Sequence, residues 1–177
     1  MTEFSDEIMV QRTRKDRSAR YQPVVMSAVC LAAILFQVYV PLLFQYLSFL
    51  ELPLLVTVYF ALMKRNQIAG LTIGFVVGLL QDSLSHHPLG LFGIVKTLVG
   101  YFAASVSMRF DVENPVMRAI LAFFFFLFHQ AFFWLLTSAL LEQRAALDLG
   151  RLSVFAALNA AVALPLFAVL DKMKGTA

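Results

Sequence analysis

Few side chains in this sequence could do chemistry, and most of them stand where chemistry is costly. Asp82 and Lys96 interrupt long apolar runs, His86 and His87 follow Asp82 closely, and His129 and Gln130 sit together in a stretch dominated by phenylalanine. Asp82 and His86 have the i, i+4 spacing that lets a helix offer two metal ligands. A metal site needs at least a third protein ligand, and His129, the remaining histidine, falls near the middle of a different apolar run, so no metal is expected. Acid–base hydrolysis inside a membrane needs two facing carboxylates. Only Asp82 stands at depth, because Asp111, Glu113 and Asp171 fall in or near loops. Ser83 and Ser85 lack the Gly-x-Ser-x-Gly context of an exposed nucleophile, and no GxxxxGK[ST] loop offers a phosphate cradle. The residues predict no enzyme, no cofactor and no nucleotide-driven motor.

The elements that hold these side chains are fixed by hydropathy. Of 177 residues, 60% are hydrophobic and 14% charged, against roughly 25% charged in an ordinary soluble domain, and the mean hydropathy is +0.80. A spanning helix needs roughly 20 mostly apolar residues. The chain therefore reads as an all-α polytopic integral membrane protein of about six transmembrane helices, placed at Pro23 to Phe44, Tyr46 to Met63, Ile68 to Ser85, Leu89 to Met108, Val116 to Leu141 and Leu152 to Leu170. Pro41 and Pro53 bracket a tight first turn, and the first two runs form either two spans or one broken element. The domain reading is a cytoplasmic basic segment over 1–22, one transmembrane domain over 23–171 and a short cytoplasmic tail over 172–177. The apolar segment after residue 22 is too long for a signal-peptide core. Cys30, the single cysteine, lies inside the first run and reads as a small buried hydrophobe.

The net charge of +3 and the pI near 9.2 come from cations at the ends of apolar runs, not from a basic patch interleaved with stacking aromatics, so no nucleic acid is expected. Their distribution sets orientation. With the N-terminus in the cytoplasm, that side carries Arg12, Arg14, Lys15, Arg17, Arg20, Lys64, Arg65, Arg109, Arg118, Lys172 and Lys174, while the other carries Arg144 and Arg151. Both termini are then cytoplasmic.

Spacing inside the spans points to contacts. Gly70, Gly74 and Gly78 recur every four residues, a face that lets another backbone approach closely where lipid gives no hydrophobic incentive to pack. Gly93, Thr97, Gly100 and Ala104 make a similar stripe on the next span. The two stripes are expected to meet as an antiparallel hairpin across the turn at His86, His87 and Pro88; a partner-binding face is the other use of such a stripe. Intramembrane charges face protein or water and find partners. Asp82 and Lys96 are therefore expected either to approach each other or to share a polar cavity near the outer leaflet, or else to act separately, Lys96 snorkelling to the surface and Asp82 capping the turn. In the fifth span, Phe123 to Phe126, Phe128, Phe132, Phe133 and Trp134 surround the helix, and His129 and Gln130 should face a protein neighbour.

Between Glu51 and Pro115 the order of these elements is more specific than any one of them. Gly74, Phe75, Gly78, Leu79, Asp82, Leu84 and Ser85 form Gly-Phe-x-x-Gly-Leu-x-x-Asp-x-Leu-Ser, followed by Pro88-Leu89-Gly90 and then Gly100-Tyr101. The segment resembles the rod shape-determining MreD family, from which this chain departs in the doubled histidine, in Lys96 and in its Phe-rich fifth span. The resemblance implies a non-catalytic inner-membrane subunit of the bacterial cell-elongation machinery. Its implied partners are an MreC-like bitopic protein, the actin-like MreB, a RodA-type glycosyltransferase and a class B penicillin-binding transpeptidase, in a setting of membrane lipid. It also implies similarity in fold to the substrate-binding subunits of energy-coupling-factor transporters. That makes a membrane-embedded solute-binding subunit the alternative, to which the Ala28-xxx-Ala32 pair of the first span is similar in pattern.

Overall fold

The computed structural model describes residues 23–44, 47–85, 88–140 and 148–173. The basic segment with Arg12, Arg14, Lys15, Arg17 and Arg20, the pair His86 and His87, Arg144 and Lys174 lie outside these residues. Among the described residues six helices follow one another: α1 (Pro23–Leu43), α2 (Leu52–Lys64), α3 (Gln67–Leu84), α4 (Leu91–Ser107), α5 (Pro115–Leu140) and α6 (Leu149–Lys172). The described residues contain no strand. Four of the helices, α1, α3, α5 and α6, are long and apolar enough to cross a membrane; α2 and α4 are shorter. The protein is an all-helical membrane protein.

The second element differs most from its expectation. It does not begin at Tyr46: the helix starts at Leu52, with Glu51 at its N-cap and Pro53 in its first turn, where a missing N–H costs nothing. Pro41 also lies within the end of α1 rather than in a turn. At 1.5 Å per residue, the 13 residues of α2 extend only about 20 Å, against a hydrocarbon core of about 30 Å. Every residue from Pro53 to Met63 is buried, because α2 is the central post of the bundle and packs on all five other helices. Non-helical backbone at membrane depth is tolerated only where protein satisfies its polar groups. Residues 47–51 meet that condition: Leu47 N–H donates to the Phe44 carbonyl at 3.0 Å and Leu50 N–H to the Leu47 carbonyl at 3.1 Å. Asn159 of α6 completes the set, its Oδ1 accepting from the Glu51 N–H at 2.9 Å and its Nδ2 donating to the Phe49 carbonyl at 2.8 Å.

The next turn is closed by local chemistry. Arg65 takes the left-handed conformation (φ 48°) that ends α2, and Asn66 caps α3, its side chain accepting from the N–H groups of Ile68 and Ala69 at 2.9 and 3.2 Å. The alternating direction of the helices gathers Lys64, Arg65, Arg109, Arg118 and Lys172 at one end of the bundle. Arg118 is not a surface charge there. It is buried, and it donates to the Asp171 carboxylate and the Val112 carbonyl. Asp171 also accepts from the Tyr59 hydroxyl at 2.7 Å, tying α2, α5 and α6 together.

Candidate functional site: a buried polar cluster between five helices

The site is built on the α3–α4 hairpin, the most extensive helix pair in the protein. Its two small-residue stripes lie face to face. A Cβ placed on Gly74 would fall on the Lys96 carbonyl, one on Gly78 on the Phe92 carbonyl, and one on Gly70 on the Gly100 carbonyl. Backbone therefore meets backbone along the whole seam, the geometry that small residues permit in lipid. Pro88 and Gly90 make the reversal. Gly90 has φ +100°, a conformation that costs glycine least, and it forms the N-cap of α4 without a side chain of its own to donate to.

Asp82 supplies what Gly90 lacks. Its carboxylate accepts from the N–H groups of Gly90 and Gly93 at 3.0 Å and of Phe92 at 3.2 Å, so the last turn of α3 caps the first turn of α4. Negative charge at a helix N-terminus is favourable on its own account, and here the residue is 1% exposed, with the Phe92 and Gly93 donors buried beside it and Gly90 half-buried. Asp82→Ala should cost about 2 kcal/mol, the upper end of the range for a lost N-cap, and Asp82→Asn clearly less because an amide oxygen still accepts. The check is amide hydrogen exchange at residues 90–93, which should accelerate in the alanine variant while α6 stays protected.

Lys96 does not meet Asp82 directly. It is fully buried, and its Nζ stands 3.7 Å from Glu51 Oε2, 3.2 Å from His129 Nε2 and 4.5 Å from the centre of the Phe92 ring. Asp82 acts on it only through charge at longer range. A lysine ammonium has donors alone, so in its charged form Lys96 donates to His129 Nε2. Phe92 holds the arrangement flat: it stacks on His129 with centroids 5.9 Å apart and on Phe133 at 4.8 Å. The fifth member is Asn159, fully buried and bonded to the Glu51 backbone. Glu51, Asp82, Lys96, His129 and Asn159 thus bring one side chain each from the start of α2 and from α3, α4, α5 and α6.

Among the residues singled out by sequence, Gly70, Gly74, Gly78, Gly93 and Gly100 form the seam, Pro88 and Gly90 the turn, and Asp82, Lys96 and His129 the cluster. Gln130 is half-buried and turns away to line a separate pocket. Tyr101 is 38% exposed on the outward side of α4, edge-on to Phe102. Glu51 and Asn159 were not among those residues. Each carries a sequence signal all the same: an acid immediately before an apolar run that opens with proline, and an amide alone in the middle of a span.

The cluster is sealed rather than presented. Lys96, His129 and Asn159 are 0% exposed; Lys96 Nζ meets His129 Nε2 and the Asn159 amide bonds backbone, while His129 Nδ1 is buried without a hydrogen-bond partner among the described residues. Ionic groups held in this way fix the relation between the elements that carry them. No curated protein and no solved structure matches the chain. The sequence profile of the rod shape-determining protein MreD matches residues 18–172, a stretch that includes all six described helices and every member of the cluster, and the chain belongs to the MreD family of rod shape-determining proteins.

Proposed function

We propose that this protein serves rod-shape determination as a non-catalytic scaffold: a rigid inner-membrane body on which an MreC-like bitopic protein and the wall-elongation enzymes assemble. The observation that carries the reading is the inward direction of its polar groups. The side chains that cost most to bury are spent on holding five helices in one arrangement, and the outward faces of α1, α3 and α5 are left apolar, with Leu31, Phe75, Val76, Ile120 and Phe124 all exposed. Such faces suit docking by single spans of partner proteins. MreB, a RodA-type glycosyltransferase and a class B penicillin-binding transpeptidase complete the assembly we envisage, through which the scaffold organises peptidoglycan synthesis.

The end of the bundle that gathers Lys64, Arg65, Arg109, Arg118 and Lys172 supports a cytoplasmic placement of that end. Residues 1–22 and 172–177 then lie on the same side, flanking one transmembrane domain. The test is affinity recovery of the tagged full-length protein from native membranes in mild detergent, with co-purifying proteins identified by mass spectrometry. An MreC-like protein and wall synthases are the expected companions. Paired ATPases with a coupling subunit would overturn the scaffold reading in favour of a solute-binding transporter subunit.

A further inference from the structure

At the end of the bundle opposite the cationic one, α5, α6 and the turn before α2 enclose an open cavity of about 390 Å³, within the range of about 300–1,000 Å³ typical of small-molecule sites. Its wall is half apolar. Phe49 and Phe155 stack with centroids 5.3 Å apart, and Phe126 and Leu152 continue the surface. Its rim carries one cation and one anion. Arg151 lies over the Phe155 ring, 5.4 Å from its centre, a position that fixes the guanidinium plane and leaves its N–H edge free to donate. Among the described residues no carboxylate pairs with it. Asp148 caps α6, with Oδ1 accepting from the N–H groups of Gly150 and Arg151 at 3.0 and 3.2 Å; Oδ2 takes no part in the cap, and the residue lines the cavity. Gln130 and Ser48 add neutral hydrogen-bonding groups.

We infer that this cavity binds the headgroup of a zwitterionic aminophospholipid. The phosphate sits on Arg151, the ammonium on Asp148, and the glycerol and upper acyl chain lie along the phenylalanine wall. The charge pattern makes the choice. A purely anionic headgroup would meet the Asp148 carboxylate as a like charge, while a choline headgroup has a cation that cannot donate a hydrogen bond to it. A cation and an anion three residues apart at the start of one helix, with Cβ atoms roughly 5–6 Å apart at that spacing, match a headgroup that carries both charges on a short linker. The wall is also built from within. Asn159 holds the carbonyls of Phe49 and Phe155 at 2.8 and 2.9 Å, and its Oδ1 holds the Glu51 N–H. The shape of the cavity therefore depends on the buried cluster, although the inference stands apart from the scaffold role.

The experiment is native mass spectrometry of the full-length protein, purified in mild detergent, stripped of lipid and titrated separately with phosphatidylethanolamine, phosphatidylglycerol and phosphatidylcholine. The wild type should retain phosphatidylethanolamine best. Arg151→Gln should weaken that retention about tenfold, the loss of one charge-assisted anchor. Arg109→Gln, an exposed cation at the other end, should leave it unchanged. Asp148→Ser keeps an N-cap side chain but removes the anion, and should shift the preference to phosphatidylglycerol. Equal retention of the three lipids by the wild type, or an unchanged profile in Arg151→Gln, would overturn the inference. An unchanged preference in Asp148→Ser would do the same.

Discussion

Lys96→Met should destabilise the protein by about 3–5 kcal/mol, the cost of removing one partner from a buried ion pair and leaving the other uncompensated. Methionine matches the lysine stem in length and flexibility, so the change isolates the charge. It strands the Glu51 carboxylate, which is 9% exposed, and removes the donor to His129 Nε2. Glu51→Gln should do less damage, because Lys96 keeps His129, the face of Phe92 and the charge of Asp82. In the double variant, Glu51→Gln with Lys96→Met, neither ion remains, and the protein should be more stable than Lys96→Met alone. The measurement is a double-mutant cycle on thermal unfolding in detergent, followed by the fluorescence of Trp134. A coupling energy near zero, or Lys96→Met melting with the wild type, would show that the pair does not hold the bundle together.

The division between what the sequence discloses and what it hides follows the range of each interaction. The stripes of Gly70, Gly74 and Gly78 and of Gly93, Thr97, Gly100 and Ala104 are legible because helical periodicity is local, and a short turn leaves two adjacent helices little choice of partner. Asp82 and Lys96 announce themselves because an ion in an apolar run is expensive. Their partners are another matter. Lys96 bonds across 33 residues to His129 and pairs with Glu51 on an element that hydropathy draws as one longer span. Asp82 is no partner for it because backbone N–H groups at the start of α4 already occupy both carboxylate oxygens. Hydropathy also conceals the part played by α2. A helix of 13 residues buried on every side looks in sequence like a poor span, since an apolar surface facing protein and one facing lipid have the same composition. The role of Asn159 is hidden as well: the amide stands out in its span, but what it bonds follows only from the non-helical backbone at residues 47–51, which the sequence leaves open as one of two readings.

Gly74→Leu should insert normally into the membrane and fail to form the native bundle. Insertion responds to hydrophobicity, which leucine raises. Packing responds to shape, and the first atom a side chain meets at this position is the Lys96 carbonyl oxygen, with the Lys96 carbonyl carbon and the Thr97 nitrogen behind it. These are backbone atoms of a helix and cannot swing aside, so α3 and α4 must separate. The separation withdraws Lys96 from Glu51 and His129 as well, which places the cost at or above about 3 kcal/mol, the top of the usual range for overpacking. Intrinsic helix propensity works in the opposite direction, favouring leucine over glycine by roughly 0.5–1 kcal/mol, so a net loss can come only from the seam. Gly93→Ala separates the two effects. Its added Cβ meets Asp82 Oδ2 at 3.6 Å and the Leu79 backbone at 3.8 Å, ordinary contacts, and the variant should be as stable as the wild type or slightly more so. Membrane-fraction yield, size-exclusion profile and recovery of co-purifying partners read the outcome. Gly74→Leu should match the wild type in the first and lose the other two, whereas Gly93→Ala should match it in all three. Should both variants behave alike, close backbone approach at Gly74 would not be what sets the shape of the α3–α4 hairpin, and the bundle would owe its form to the polar cluster alone.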